Sequence, residues 1–162
     1  MSLSTEATVS SVDVNGSFVF FGLPTFLRAS SANTEGRFFM VEQPSMPPGA
    51  ASPYHTHRHE DEMFYVVDGE VAVVLDGQWS KAGPGTFVFG PRGVPHGFQV
   101  VGSSPARLLV MGMPGGFENF VLELAEPAGT PPSPPDLGRV VTVAARYGIE
   151  IHGPLPAMPD SL

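Results

Sequence analysis

Four side chains in this sequence have the types and spacing that chemistry would need: His55, His57, Glu62 and His96. His55 and His57 stand two residues apart, and in an extended chain such a pair points to one face. Glu62 has the opposite parity to the histidines. The turn expected at "RHED" (58–61) removes that objection by reversing the chain, which predicts Glu62 at the start of the neighbouring strand, beside the imidazoles. "GPRGVPHGF" (90–98) then delivers His96 at the head of another strand. Three imidazoles and a carboxylate suit a divalent transition metal (Ni, Co, Mn, Fe, Cu or Zn), and the set carries no thiolate bias toward a soft ion. Four protein ligands leave positions open on a five- or six-coordinate ion, as catalysis requires. By parity, Phe64 and Val66 share the inward face with Glu62, and Phe98 and Val100 share it with His96. These four are the expected pocket walls, and they favour an apolar or aromatic small molecule over a sugar.

The surrounding polar residues read differently. His59 and Glu60 are expected at the turn, solvated or supporting the ligands from outside, and Asp61 at the surface. Arg92 is expected to stabilise its own loop. Tyr54 should face away from the site, His152 lies in the tail, and Phe38, Met40, Met111 and Phe117 read as core.

These residues need strands to hold them. Apolar, β-branched and aromatic runs at 17–22, 24–30, 37–43, 85–91, 96–102 and 106–114 read as strands. "EMFYVVDGEVAVVL" (62–75) reads as two strands paired through a hairpin at Asp68-Gly69, and Asp76-Gly77 repeats the device. "PSMPPGAASP" (44–53) reads as a loop, because proline cannot continue a sheet interior. Turn signals every 8 to 12 residues are the rhythm of a sandwich or barrel. After Pro114 the spacing turns helical over 116–126. A proline-rich connector (127–136) leads to a second helix over 136–148, with Asp136 as N-cap and Gly148 beyond its end. The division expected is a disordered start (1–10), a β-barrel (11–126, core 37–114), and a connector, helix and tail (127–162) packing on the barrel or on a partner subunit.

The chain has 162 residues, 42% of them hydrophobic, enough for a real core. Its formal charge is −8, and Lys81 is its one lysine, which argues against nucleic-acid binding and against anionic membranes. There are no cysteines, so disulfides and thiolate metal sites are excluded. No long apolar run or secretory leader is evident, and a cytoplasmic location is the expectation.

Gly49, His55, His57, Glu62 and Gly69 fit the pattern G-x5-H-x-H-x4-E-x6-G, and Gly85, Pro91, Gly93 and His96 fit G-x5-P-x-G-x2-H-x3-N except that Val100 replaces the last Asn. The sequence therefore resembles the cupin superfamily, as a single-domain (monocupin) member. "YHTHRHEDEMFYVVDGEV", "AGPGTFVFGPRGVPHGF" and the tail "AARYGIEIHGP" are similar to the quercetin 2,3-dioxygenase-like group. The resemblance implies an all-β fold, the cupin double-stranded β-helix or jelly-roll barrel, with short C-terminal helices and a metal inside. It also implies O2-dependent opening of a flavonol-like ring, with Glu62 as ligand and catalytic base, and a homodimer. Other metal-dependent cupin chemistry (an isomerase, or a diketone or phenol dioxygenase) and a non-catalytic metal-dependent binding module are the alternatives. A cupin transcription regulator and a sugar-nucleotide epimerase are disfavoured, because no DNA-binding helix pair and no phosphate-binding basic residues accompany the motifs.

Overall fold

Alternating burial runs along β10 (Ala106–Met113), where Ala106, Leu108, Val110 and Gly112 are buried and the residues between them are not. That period-two pattern marks a strand with one face on a core. It recurs in the computed structural model, which describes residues 16–162; the expected disorder at 1–10 lies outside them.

The other elements are β1 (Ser17–Phe20), β2 (Leu23–Ala29), β3 (Phe39–Met46), β4 (Tyr54–His57), β5 (Asp61–Asp68), β6 (Val71–Leu75), β7 (Gln78–Ala82), β8 (Phe87–Gly90), β9 (His96–Val100), α1 (Glu118–Leu124), β11 (Glu126–Pro127), α2 (Leu137–Arg146) and β12 (Ile149–Gly153). They form two antiparallel sheets, β11-β1-β2-β3-β10-β5-β8 and β12-β4-β9-β6-β7. The architecture is all-β, a double-sheet jelly-roll barrel with two short helices. Phe39, Val41, Phe64, Val66 and Leu108 of the first sheet meet Val71, Val73, Phe98 and Val100 of the second in one core.

Three expectations need correcting. Asp68-Gly69 does not close a hairpin, because β5 and β6 lie in different sheets. β10 and β8 already occupy the two edges of β5, so no edge is left for β6. The second Asp-Gly does close one: Leu75 pairs with Gln78, and Asp76 and Gly77 both have positive φ, the signature of a type I′ turn. Pro44 does not end its strand. β3 continues to Met46, and the pairing with β10 steps from Gln43–Leu108 to Met46–Ala106. The proline sits in that bulge, where its missing N–H costs no ladder bond. Finally, the turn at 58–60 does not lead to a neighbouring strand. It carries the chain from β4 across to β5 in the facing sheet.

The C-terminal elements pack on the barrel. Asp136 caps α2 by accepting from the Arg139 N–H at 3.1 Å, and Gly148 takes a φ of +72° beyond its end. The chain then returns as β12, which pairs with the free edge of β4, Ile151 opposite His55. A buried Glu118 at the head of α1 accepts from the Ser31 and Gly116 N–H groups. That carboxylate ties the helix to the loop between β2 and β3. No helix among the described residues is long and apolar enough to cross a membrane.

Candidate metal centre

His55 and His57 lie on the inward face of β4, and the rungs of the second sheet set His96 of β9 directly opposite His55. Glu62 enters from β5 in the other sheet, so the cluster bridges the two walls of the barrel. All four residues are buried, and one ligand atom from each lies within 4.8 Å of the others. Glu62 Oε2 is 2.7 Å from His96 Nε2, 3.4 Å from His57 Nε2 and 3.6 Å from His55 Nε2. His55 Nε2 and His57 Nε2 are 3.1 Å apart.

The outer nitrogens set which lone pairs face inward. His55 Nδ1–H donates to the Pro53 carbonyl at 2.8 Å, and His96 Nδ1–H donates to the Val94 carbonyl at 2.9 Å. A carbonyl only accepts, so both Nδ1 atoms hold the proton and both Nε2 atoms turn bare lone pairs inward. A bare imidazole nitrogen and a carboxylate oxygen at 2.7 Å repel unless a cation or proton lies between them. Ligands about 2.1 Å from a common ion and at right angles lie about 3.0 Å apart, which matches the spacings seen here. The donor set and its geometry therefore fit a divalent transition metal.

His57 differs from the other two. Its Nδ1 faces the Glu60 carboxylate at 3.5 Å rather than a backbone carbonyl, and both atoms are sealed from solvent. Glu60 is thus a buried support for a ligand, not a solvated turn residue. Asp61 instead accepts from the Arg92 backbone and guanidinium at 2.9–3.0 Å, the loop-stabilising role expected for Arg92.

Charge follows from this packing. Burial opposes protonation of His57, but the Glu62 carboxylate, with Glu60 behind it, outweighs burial and pushes the pKa up to about 9. Burial alone would raise Glu62; the charge of His57, together with the polar contacts of the three surrounding imidazoles, holds it well below the usual carboxylate range. Burial lowers His55. His57 thus contributes stability to the metal-free protein that is complete below pH 6.5 and lost as pH rises through about 9. Glu62 has the opposite sign: its contribution is present above pH 4.5 and lost as pH falls toward its depressed value. Metal must displace the His57 proton, so affinity is expected to rise from neutral pH to about 9 and then level off. Calorimetry at pH 7.5 in buffers of different ionisation enthalpy should detect about one proton released per ion. A pH-independent affinity would refute the link.

A cavity of about 160 Å³ reaches the cluster at His55 and Glu62. Its walls are mostly apolar, with Phe20, Phe21, Leu23, Val41, Phe64, Phe98, Val110, Phe117, Phe120, Ile149 and Ile151 among them. Of the expected walls, Phe64 and Phe98 line it and Val66 and Val100 do not. The latter two have the right parity but stand 0% and 1% exposed, closed over by the core. Phe117 is a wall residue that its helical spacing disguised as core. Its ring stands edge-on to the His57 ring, 4.8 Å between centroids. Thr25 and Gln43 also line the cavity, Gln43 in phase with the buried Phe39 and Val41 on β3.

Residues 45–112 match the family model described as "Cupin domain". This region is a cupin domain. Its sequence is 30% identical over 99 residues to quercetin 2,3-dioxygenase of Bacillus subtilis, covering 61% of this chain and 29% of that enzyme. The chain therefore spans under a third of the length of that relative. The cupin fold is shared with an RmlC-like cupin from Shewanella frigidimarina (TM-score 0.58, 23% identity, 72% of this chain and 97% of that one). It is shared also with the polyketide cyclase RemF from Streptomyces resistomycificus (TM-score 0.56, 25% identity, 67% of this chain and 80% of that one).

Proposed function

We propose that the cupin domain is a metal-dependent dioxygenase that opens an aromatic, flavonol-like ring with O2. The observation that carries this reading is the cavity, apolar along its walls and ending on two of the four side chains that could hold a metal. A divalent transition metal held by His55, His57, Glu62 and His96 would supply Lewis acidity, lowering the pKa of a substrate hydroxyl. Glu62 lines the cavity and turns Oε2 toward the imidazoles. Its Oε1 makes no hydrogen bond among the described residues, which supports a role for that oxygen in taking up the hydroxyl proton. Phe64, Phe98 and Phe117 offer ring faces and edges to orient an aromatic substrate, and they keep water from it. None of the described lining residues is lysine or arginine, which counts against a phosphorylated sugar as substrate.

The test is oxygen consumption on a flavonol panel, with protein reconstituted separately with Ni, Co, Mn and Fe. The reading predicts turnover with at least one metal and none after chelation. Glu62→Gln should lose turnover to a greater degree than it loses metal; equal loss would leave Glu62 a ligand only. The structural likeness to a polyketide cyclase favours a second reading, a non-oxidative conversion of an aromatic polyketide in the same cavity. Substrate consumption without oxygen uptake would support it and sink the first.

A further inference from the structure

The far wall of the cavity holds a polar group that the metal end does not use. Gln43 is buried and lines the cavity. Its amide Nε2 donates one long hydrogen bond, 3.4 Å, to Thr25 Oγ1. Thr25, fully buried, passes its own proton to the Leu23 carbonyl at 3.1 Å. A primary amide has two donors and two acceptor positions, and this single contact leaves most of that capacity without a protein partner. The sealed, unpartnered polar atoms among the described residues are His57 Nδ1, Glu60 Oε2 and Trp79 Nε1, so the free part of the Gln43 amide is not shut into the core but open to the cavity. A carboxamide at this place on an apolar wall is a feature for a ligand to satisfy.

Strand register gives its distance from the metal end. Phe39 and Gly112 stand level with Glu62, and Gln43 and Leu108 stand level with Val66. Those rungs are four residues apart, a rise of about 13 Å. The amide and the metal-facing residues therefore stand well apart along the strands, at opposite ends of the cavity.

We propose that Gln43, oriented by Thr25, is the specificity-determining residue of the cavity. It selects a molecule with a metal-binding oxygen at one end, an aromatic body, and a hydroxyl or carbonyl at the opposite end. The inference rests on the reading of this cavity as the site of an aromatic, metal-bound ligand.

The experiment titrates metal-loaded wild type, Gln43→Leu and Thr25→Val with two probes. One is 3-hydroxyflavone; the other is the same molecule with one hydroxyl on the distal phenyl ring. Wild type should bind the hydroxylated probe about 10-fold or more tightly, since a site built to hydrogen-bond a hydroxyl rejects the analogue lacking it. Gln43→Leu should bring the two affinities together by weakening the hydroxylated probe alone, with metal content unchanged. Thr25→Val should shrink the preference through loss of the amide's anchor, and it carries the test if Gln43→Leu does not fold. Equal binding of both probes by wild type, or an undiminished preference in the variants, would overturn the role of Gln43 and leave the cavity's function standing. Failure of either probe to bind any form would overturn the functional reading itself.

Discussion

Alanine in place of His96 is expected to weaken metal binding by more than about 100-fold, because loss of an outer support to a ligand alone costs about 10–100-fold. His96 is fully buried, and its Nε2 is the imidazole atom nearest Glu62 Oε2, at 2.7 Å. Its strand neighbour, Gly97, carries no side chain that could take its place. The variant also leaves the buried Glu62 carboxylate with one polar neighbour fewer. Competition with a chromophoric chelator measures the affinity, and elemental analysis measures the content after purification. His152→Ala is the control. That residue bonds Thr56 on the outer side of β4 and should leave affinity unchanged. An affinity for His96→Ala within about threefold of wild type would show that the four residues are not one ligand set.

Gly112→Ala is expected to destabilise the fold by about 3 kcal/mol and to lower Tm by about 6–12 °C. Gly112 faces inward on β10, level with Glu62. A Cβ there would overlap the Phe39 ring on the paired strand. Phe39 is 1% exposed and packs on Phe117, with 5.1 Å between ring centroids, and Phe117 in turn packs on His57. The added methyl has no room unless that series of rings shifts, and a close-packed interior transmits such strain. Metal affinity should therefore fall together with stability. Phe39→Leu in the same chain should recover part of both losses, a coupling between contacting residues that a double-mutant cycle reads directly. Unchanged Tm in Gly112→Ala would mean that Phe39 has space to retreat, and the proposed path to His57 would fail with it.

These two experiments probe different levels of the molecule, and the levels differ in how far the sequence reveals them. The cluster of His55, His57, Glu62 and His96 was legible because its signals are local. Two histidines in phase on one strand, a carboxylate after a turn and a histidine after glycine and proline at fixed positions can be read without knowing where the strands go. The inward phase of Phe64 and Phe98 was legible for the same reason, since alternation is a property of one strand. The helix cap at Asp136 also depends only on its own turn.

What the chain alone left open was which strands meet. Asp68-Gly69 and Asp76-Gly77 are the same dipeptide, yet one crosses between sheets and the other closes a hairpin. The difference lies in the neighbours. β5 already has partners on both edges, and Gly69 passes so close over β10 that a Cβ would lie 2.6 Å from Ala106 Cα. The same limit hid the cavity walls. Val66 and Val100 have the parity of pocket residues, but burial by the facing sheet closes them off, whereas Phe117 and Gln43 reach the cavity from elements that no local pattern ties to the metal. Side-chain phase is set by backbone geometry within a strand. Edge occupancy and the shape of the space between sheets are set by distant segments, and these only the folded barrel decides.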